Sequence, residues 1–132
     1  MEDGKAKVGT AVEKGVRGWK EDVAKRELSK RILLMMTGEF GRTPKINSKG
    51  GRDHWGRLCS LALAGGGLKM GQVIGQSSPR IEMPMTTPIT PQDLMATIIH
   101  IYGLDYQLQY VNNQGRHTFL IEDGQPIAEL VS

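Results

Sequence analysis

The sequence holds one cysteine, Cys59, among its 132 residues. That excludes an internal disulfide framework and any zinc site built on several cysteines. Aromatic residues make up 5% of the chain, too few for the stacking platforms of a single-strand nucleic-acid binder. No apolar run approaches the roughly 20 residues needed to cross a bilayer. The longest, Ile32 to Met36, has the length of a strand. The opening residues, Met1 to Lys7, are polar and lack the apolar stretch of a secretory signal. The formal net charge is +3, which permits weak attraction to phosphates or acidic surfaces without marking a nucleic-acid protein. Neither nucleic acid nor membrane is therefore an expected partner.

What is present fits a folded domain. Hydrophobic residues are 39% and charged residues 23%, the balance of a globular chain. The length suits one α/β domain over residues 8–132, behind a polar leader over 1–7 that is expected to be disordered. Val8, Val12, Val16, Trp19 and Val23 recur at three- and four-residue steps, which predicts a helix over Val8–Lys25. Ile32–Met36 and Leu58–Ala64 are apolar without alternation and read as strands covered on both faces. Val73-Ile74 reads as a third, shorter strand. Thr90-Pro91-Gln92-Asp93 is a helix start, with a capping hydroxyl, a proline at the first turn and an acid to answer the cap. The helix is expected over Pro91–Tyr102, with Gly103 as its stop. A strand at Thr118–Ile121, a turn at Asp123-Gly124 and a short helix over Pro126–Val131 complete the reading.

Two polar stretches carry the candidate chemistry. Glu39 and Arg42 follow the Ile32 strand, at the kind of strand end where open α/β sheets bind ligands. The alternative is a Glu39–Arg42 ion pair that merely orders the turn. Arg52-Asp53-His54 lies among Gly50, Gly51 and Gly56. Aspartate and imidazole are both metal ligands, and a backbone turn would let them converge on one ion. The alternative is an aspartate that orients His54, with Trp55 in the core. Gly65-Gly66-Gly67 lacks the lysine sequel of a phosphate loop and reads as a tight bend. Cys59 reads as a buried small hydrophobe and His100 as a packing residue.

Gly38-Glu39-Phe40-Gly41-Arg42-Thr43-Pro44, Gly51-Arg52-Asp53-His54-Trp55, the stretch Ala64 to Gly75, and Pro91 to Ile98 followed by Gly103-Leu104-Asp105 occur in this order. The set resembles the C-terminal part of a bacterial sulfatase-like family, the domain of unknown function fifteen-oh-one, in the alkaline-phosphatase superfamily. The resemblance runs from about Val8 to Val131. It implies part of a three-layer α/β/α sandwich and cleavage of sulfate or phosphate esters beside one or two metal ions. By position, Glu39 looks like the acid at a metal-bearing strand end and His54 like a downstream ligand. Another alignment makes Asp53-His54 itself the metal pair. Phe40 stands where the superfamily often has a ligating His or Asn.

The resemblance thus implies Glu39, Asp53 and His54 as metal ligands, for zinc, calcium, magnesium or manganese. Arg42 and Arg52 are implied as groups that hold the substrate anion. Family members are longer and often look exported, and the superfamily nucleophile lies upstream of the matching motifs. The expected function is the C-terminal region of a metal-dependent sulfate or phosphate ester hydrolase, inactive by itself. The other reading is a non-catalytic α/β interaction module on a degenerate scaffold. Self-association, or docking to an N-terminal region, is expected in either case.

Overall fold

The computed structural model describes the backbone of residues 2–132 and the side chains of residues 8–132. Among these residues three helices form: α1 (Glu2–Lys25), α2 (Pro91–Ile101) and α3 (Ala128–Val131). Six short strands form three antiparallel pairs. They are β1 (Leu33–Thr37) with β4 (Leu61–Gly65), β2 (Gly41–Arg42) with β3 (His54–Trp55), and β5 (Gln109–Val111) with β6 (His117–Phe119). The class is mixed α/β.

The apolar steps of the first segment do make a helix, and α1 runs back through the stretch read as a leader. Glu13–Arg17 and Asp22–Arg26 pair at i,i+4 spacing, at 3.7 and 2.9 Å. Such exposed pairs add only a few tenths of a kcal/mol each, roughly 0.3–0.5. Burial is graded along the apolar stripe. Val23 is buried, Val16 and Trp19 are half-buried, and Val8 and Val12 are exposed. Only the end next to the sheet is covered.

The Ile32 and Leu58 runs become neighbours, with Leu33 opposite Gly65 and Thr37 opposite Leu61. The strands are antiparallel. One expectation is corrected: they are not covered on both faces, since Met35 and Leu61 remain 42% and 41% exposed. Their face is covered at one end, where Leu33 and Leu63 pack on Leu68, Ile127 and Leu130, with Ile101 and Val131 beside them. Gly65 lets the layers close. The Ile32 carbonyl oxygen occupies the space a Cβ would take there, and the Trp19 ring would lie 3.3 Å from that Cβ. Gly65, Gly66 and Gly67 all adopt positive φ (84°, 67° and 76°), which makes the triplet the tight bend expected from its sequence.

Val73-Ile74 is not a strand. Gly71 and Gly75, both at φ 83°, break the extended backbone on either side, and Val73 is 95% exposed. The C-terminal strand is shorter and earlier than read, His117–Phe119, and the last helix begins at Ala128. His100 is exposed rather than packed, although it follows Ala96 and Thr97, the buried residues of α2, by one turn on the same face.

The α2 start has the anticipated capping box. Thr90 Oγ1 accepts from the Asp93 amide at 3.1 Å, and Asp93 Oδ2 accepts from the Thr90 amide at 2.8 Å. Asp93 also reaches across the fold, where its Oδ1 accepts from the Gln125 amide at 3.0 Å. One turn on, the fully buried Thr97 hydroxyl donates to the Asp93 carbonyl at 2.6 Å and accepts from the Ile127 amide at 2.9 Å. Gly124 fits beneath, where a Cβ would sit 2.5 Å from the Gln92 carbonyl oxygen and 2.6 Å from Ile121 Cγ2. Partial burial pushes the Asp93 carboxyl up, but the bonds from Gln125 and Thr90 outweigh it and hold the group below its ordinary value.

Two outcomes follow for stability. Gly124→Ala should destabilise the chain by about 1–3 kcal/mol through overpacking, read as a lower denaturant midpoint. Asp93→Asn should lower stability at neutral pH by about 1–2 kcal/mol, the scale of a lost cap and charged hydrogen bonds. Because the folded-state pKa is depressed, the wild-type advantage is complete above the unfolded value of about 3.9. It fades as pH falls from there through the folded value. Thermal melts of both proteins from neutral to strongly acidic pH should converge at the acid end, and a constant gap would contradict the assignment.

Candidate functional site

The polar stretches singled out by sequence meet on one hairpin. β1 ends at Thr37, the chain turns through Gly38 and Glu39, and β2 pairs with β3 so that Gly41 faces Trp55 and Arg42 faces His54. Glycine is required at position 41, since a Cβ there would collide with the Leu58 carbonyl oxygen.

Between the strands the loop bonds to itself. Thr43 N donates to the Asp53 carbonyl at 2.9 Å, and Asp53 N donates to Thr43 Oγ1 at 3.0 Å. Asn47 is the organiser that sequence reading missed. Its Oδ1 accepts from the amides of Lys49 and Gly51 at 3.0 and 2.9 Å, and its Nδ2 donates to Asp53 Oδ1 at 2.8 Å. The legible signal was an asparagine ahead of Gly50-Gly51, the pattern of an Asx turn. Arg52 Nη1 donates to the carbonyls of Thr43 and Pro44, at 2.7 and 2.5 Å. Arg42 Nη1 donates to the Arg52 carbonyl at 3.4 Å.

The aromatic side chains brace the strands. The Phe40 and His54 rings stack with centroids 3.9 Å apart and planes tilted by 30°. The Arg42 guanidinium carbon lies 6.0 Å from the Phe40 centroid, at the outer limit of a cation–π contact. Trp55 is half-buried, its Nε1 donates to the Glu82 carbonyl at 3.0 Å, and Arg57 lies over its ring at 5.6 Å. His54 is therefore set by ring stacking on Phe40, while the Asp53 carboxylate is tied to Asn47.

Of the five candidate residues, Arg42, Arg52, Asp53 and His54 lie on the hairpin, and exposed Glu39 immediately precedes Phe40, the residue stacked on His54. Among the described residues the Glu39–Arg42 ion pair does not form, the ion pairs being Glu13–Arg17 and Asp22–Arg26. Among the described residues no three His, Cys, Asp or Glu side chains gather into a group able to hold a metal ion. Cys59 is corrected: it is exposed, outside any strand, and its Sγ donates to the Gly38 carbonyl at 3.1 Å. That bond draws the chain after β3 towards the turn after β1.

Two open grooves lie elsewhere. One, of about 340 Å³, runs between Thr86–Ile89 and Gln125–Ile127 and includes Asp93. The other, of about 460 Å³, lies between Pro91 and Met95 of α2 and residues Thr118–Glu122. The candidate residues of the hairpin line neither.

Arg52→Gln should loosen the hairpin and leave the α2 anchor intact. Amide exchange at Gly51 and Asp53 should speed up by about 5-fold or more, as expected when bonds to a charged donor are lost. Exchange at Ile127 should not change. Equal acceleration at all three would mean that the hairpin does not open as a local unit.

A family model described as "Protein of unknown function (DUF1501)" matches residues 1–131. No curated protein and no solved structure matches the chain.

Proposed function

The chain belongs to the DUF1501 family, and on that footing we propose that it is the C-terminal region of a sulfatase-like, metal-dependent sulfate or phosphate ester hydrolase. The observation that carries this reading is the β2–β3 hairpin, which sets Arg42 directly across from His54, with Glu39 shortly before β2 and Arg52 and Asp53 immediately before β3. Two guanidiniums next to an imidazole and two carboxylates suit an ester anion and the charge that develops when it is cleaved. Arg52 engages loop carbonyls through Nη1 alone, and a guanidinium has five donors, so anion binding remains open to it. A divalent ion in such an enzyme takes ligands beyond Glu39, Asp53 and His54.

In this reading β1 and β4 are strands of a larger sheet within a three-layer α/β/α sandwich. Their outer edges carry no strand among the described residues, and the exposed Met35 and Leu61 are surfaces for an N-terminal region or a second copy to cover. Hydrolysis needs a nucleophile that this set of residues does not supply.

The chain alone, given zinc, calcium, magnesium or manganese, should show no sustained turnover of chromogenic aryl sulfates or phosphates. Turnover abolished by His54→Ala would mean a complete site within these residues and would overturn the inactivity. A longer protein carrying this region should hydrolyse such esters. There His54→Ala should cost roughly 100-fold or more, the scale of a positioned catalytic side chain. Hydrolysis indifferent to both His54→Ala and Arg42→Ala would favour the non-catalytic interaction module.

A further inference from the structure

Charge is distributed very unevenly along this chain. Residues 42–57 hold five cations, Arg42, Lys45, Lys49, Arg52 and Arg57, against one acid, Asp53. The rest of the chain holds twelve cations against thirteen acids. The whole positive excess therefore sits on the β2–β3 hairpin, where all five cations are exposed. The hairpin's one acid is bonded to Asn47. Resting on the hydrolase reading, we propose that the hairpin is a docking surface for a linear polysaccharide bearing sulfate esters, held chiefly by Lys45 and Lys49.

The division of labour among the cations supports this. Arg52 and Arg42 bond to loop carbonyls and so hold the loop in shape. Arg57 lies over Trp55. The Lys45 and Lys49 ammonium groups have no partner among the described residues. They project from a loop whose backbone is already bonded to itself, so little ordering opposes binding. Cations on β2, in the loop and just after β3 outnumber the charges of one ester and suit a chain of them. A nucleic acid fits less well, because Phe40 is stacked on His54 and Trp55 carries Arg57, which leaves no open platform for bases. A membrane surface fits less well too. Ile46 is the one exposed large apolar residue within 42–57, whereas interfacial binding needs an apolar face.

The test is direct binding by the 132-residue chain, with heparin as the sulfated probe. Desulfated heparin, an oligo-dT strand and phosphatidylserine vesicles are the comparison arms. Heparin should bind at about 50 mM salt and more weakly at about 150 mM, with the other three at least about 10-fold weaker. The double variant Lys45→Gln/Lys49→Gln should lose about 5-fold or more in affinity and flatten the salt slope by roughly 1 to 2. Circular dichroism should show it folded, since neither side chain has a bonding partner among the described residues. Lys14→Gln/Lys20→Gln on α1 should bind like wild type. No heparin binding, equal binding of any comparison probe, or an unaffected Lys45/Lys49 variant would overturn the proposal. Heparin binding of this pattern by a chain whose longer parent cleaves no ester keeps the surface and removes the hydrolase reading. Ester cleavage without heparin binding does the reverse.

Discussion

The C-terminal half of the protein depends on one aspartate. Asp93 closes the capping box of α2 and, through its second oxygen, holds the Gln125 amide. Thr97 repeats the tie one turn later by accepting from the Ile127 amide. Two consecutive grips fix the direction in which the chain leaves Gly124, and so deliver Ile127 and Leu130 to Leu68, Leu33 and Leu63. The hydrophobic contact is small, with Leu68, Ile127 and Leu130 as its buried side chains, so its placement cannot be left to burial alone. Polar geometry positions it, and burial then stabilises it.

The hairpin follows a different logic. It has almost no buried apolar surface and is held by bonds from Asn47, Thr43 and Arg52 to its own backbone. Its external links are few: the Cys59 thiol to Gly38, and the Trp55 indole to the Glu82 carbonyl. A charged element built this way keeps its shape without needing a core. The hydrophobic centre and the candidate chemistry are thus separate parts of the molecule, each with its own means of support.

How far the sequence revealed this depended on how local the cause was. The start of α2 was legible because its cap, proline and acid all act within four residues. The bend at Gly65–Gly67 was legible for the same reason. Ile32–Met36 and Leu58–Ala64 were legible as strand-forming apolar runs, but their direction was not, since such runs do not distinguish parallel from antiparallel partners. Cys59 and His100 were misread because neighbouring residues were taken as a guide to burial. Cys59 lies before β4 rather than within it, and His100 lies one turn beyond the buried Ala96 and Thr97, where the last turn of α2 is exposed. Val73-Ile74 was lost to its two flanking glycines. At the hairpin the charged and aromatic residues stood out, while Asn47, which organises them, looked like an ordinary loop residue.

The two ladders are nested, with β2–β3 lying wholly inside the segment that joins β1 to β4. This bears on the order in which the chain assembles. Pairing Thr37 with Leu61 directly must close residues 38–60 as one loop. If Gly41 and Trp55 are already paired, only the links 38–40 and 56–60 remain to be ordered. The logarithmic dependence of closure entropy on length puts the difference at about 0.7 kcal/mol, a little over threefold in the population of closed chains. The charged hairpin therefore also acts as a splint, shortening the reach between the strands of the sheet that bears the core.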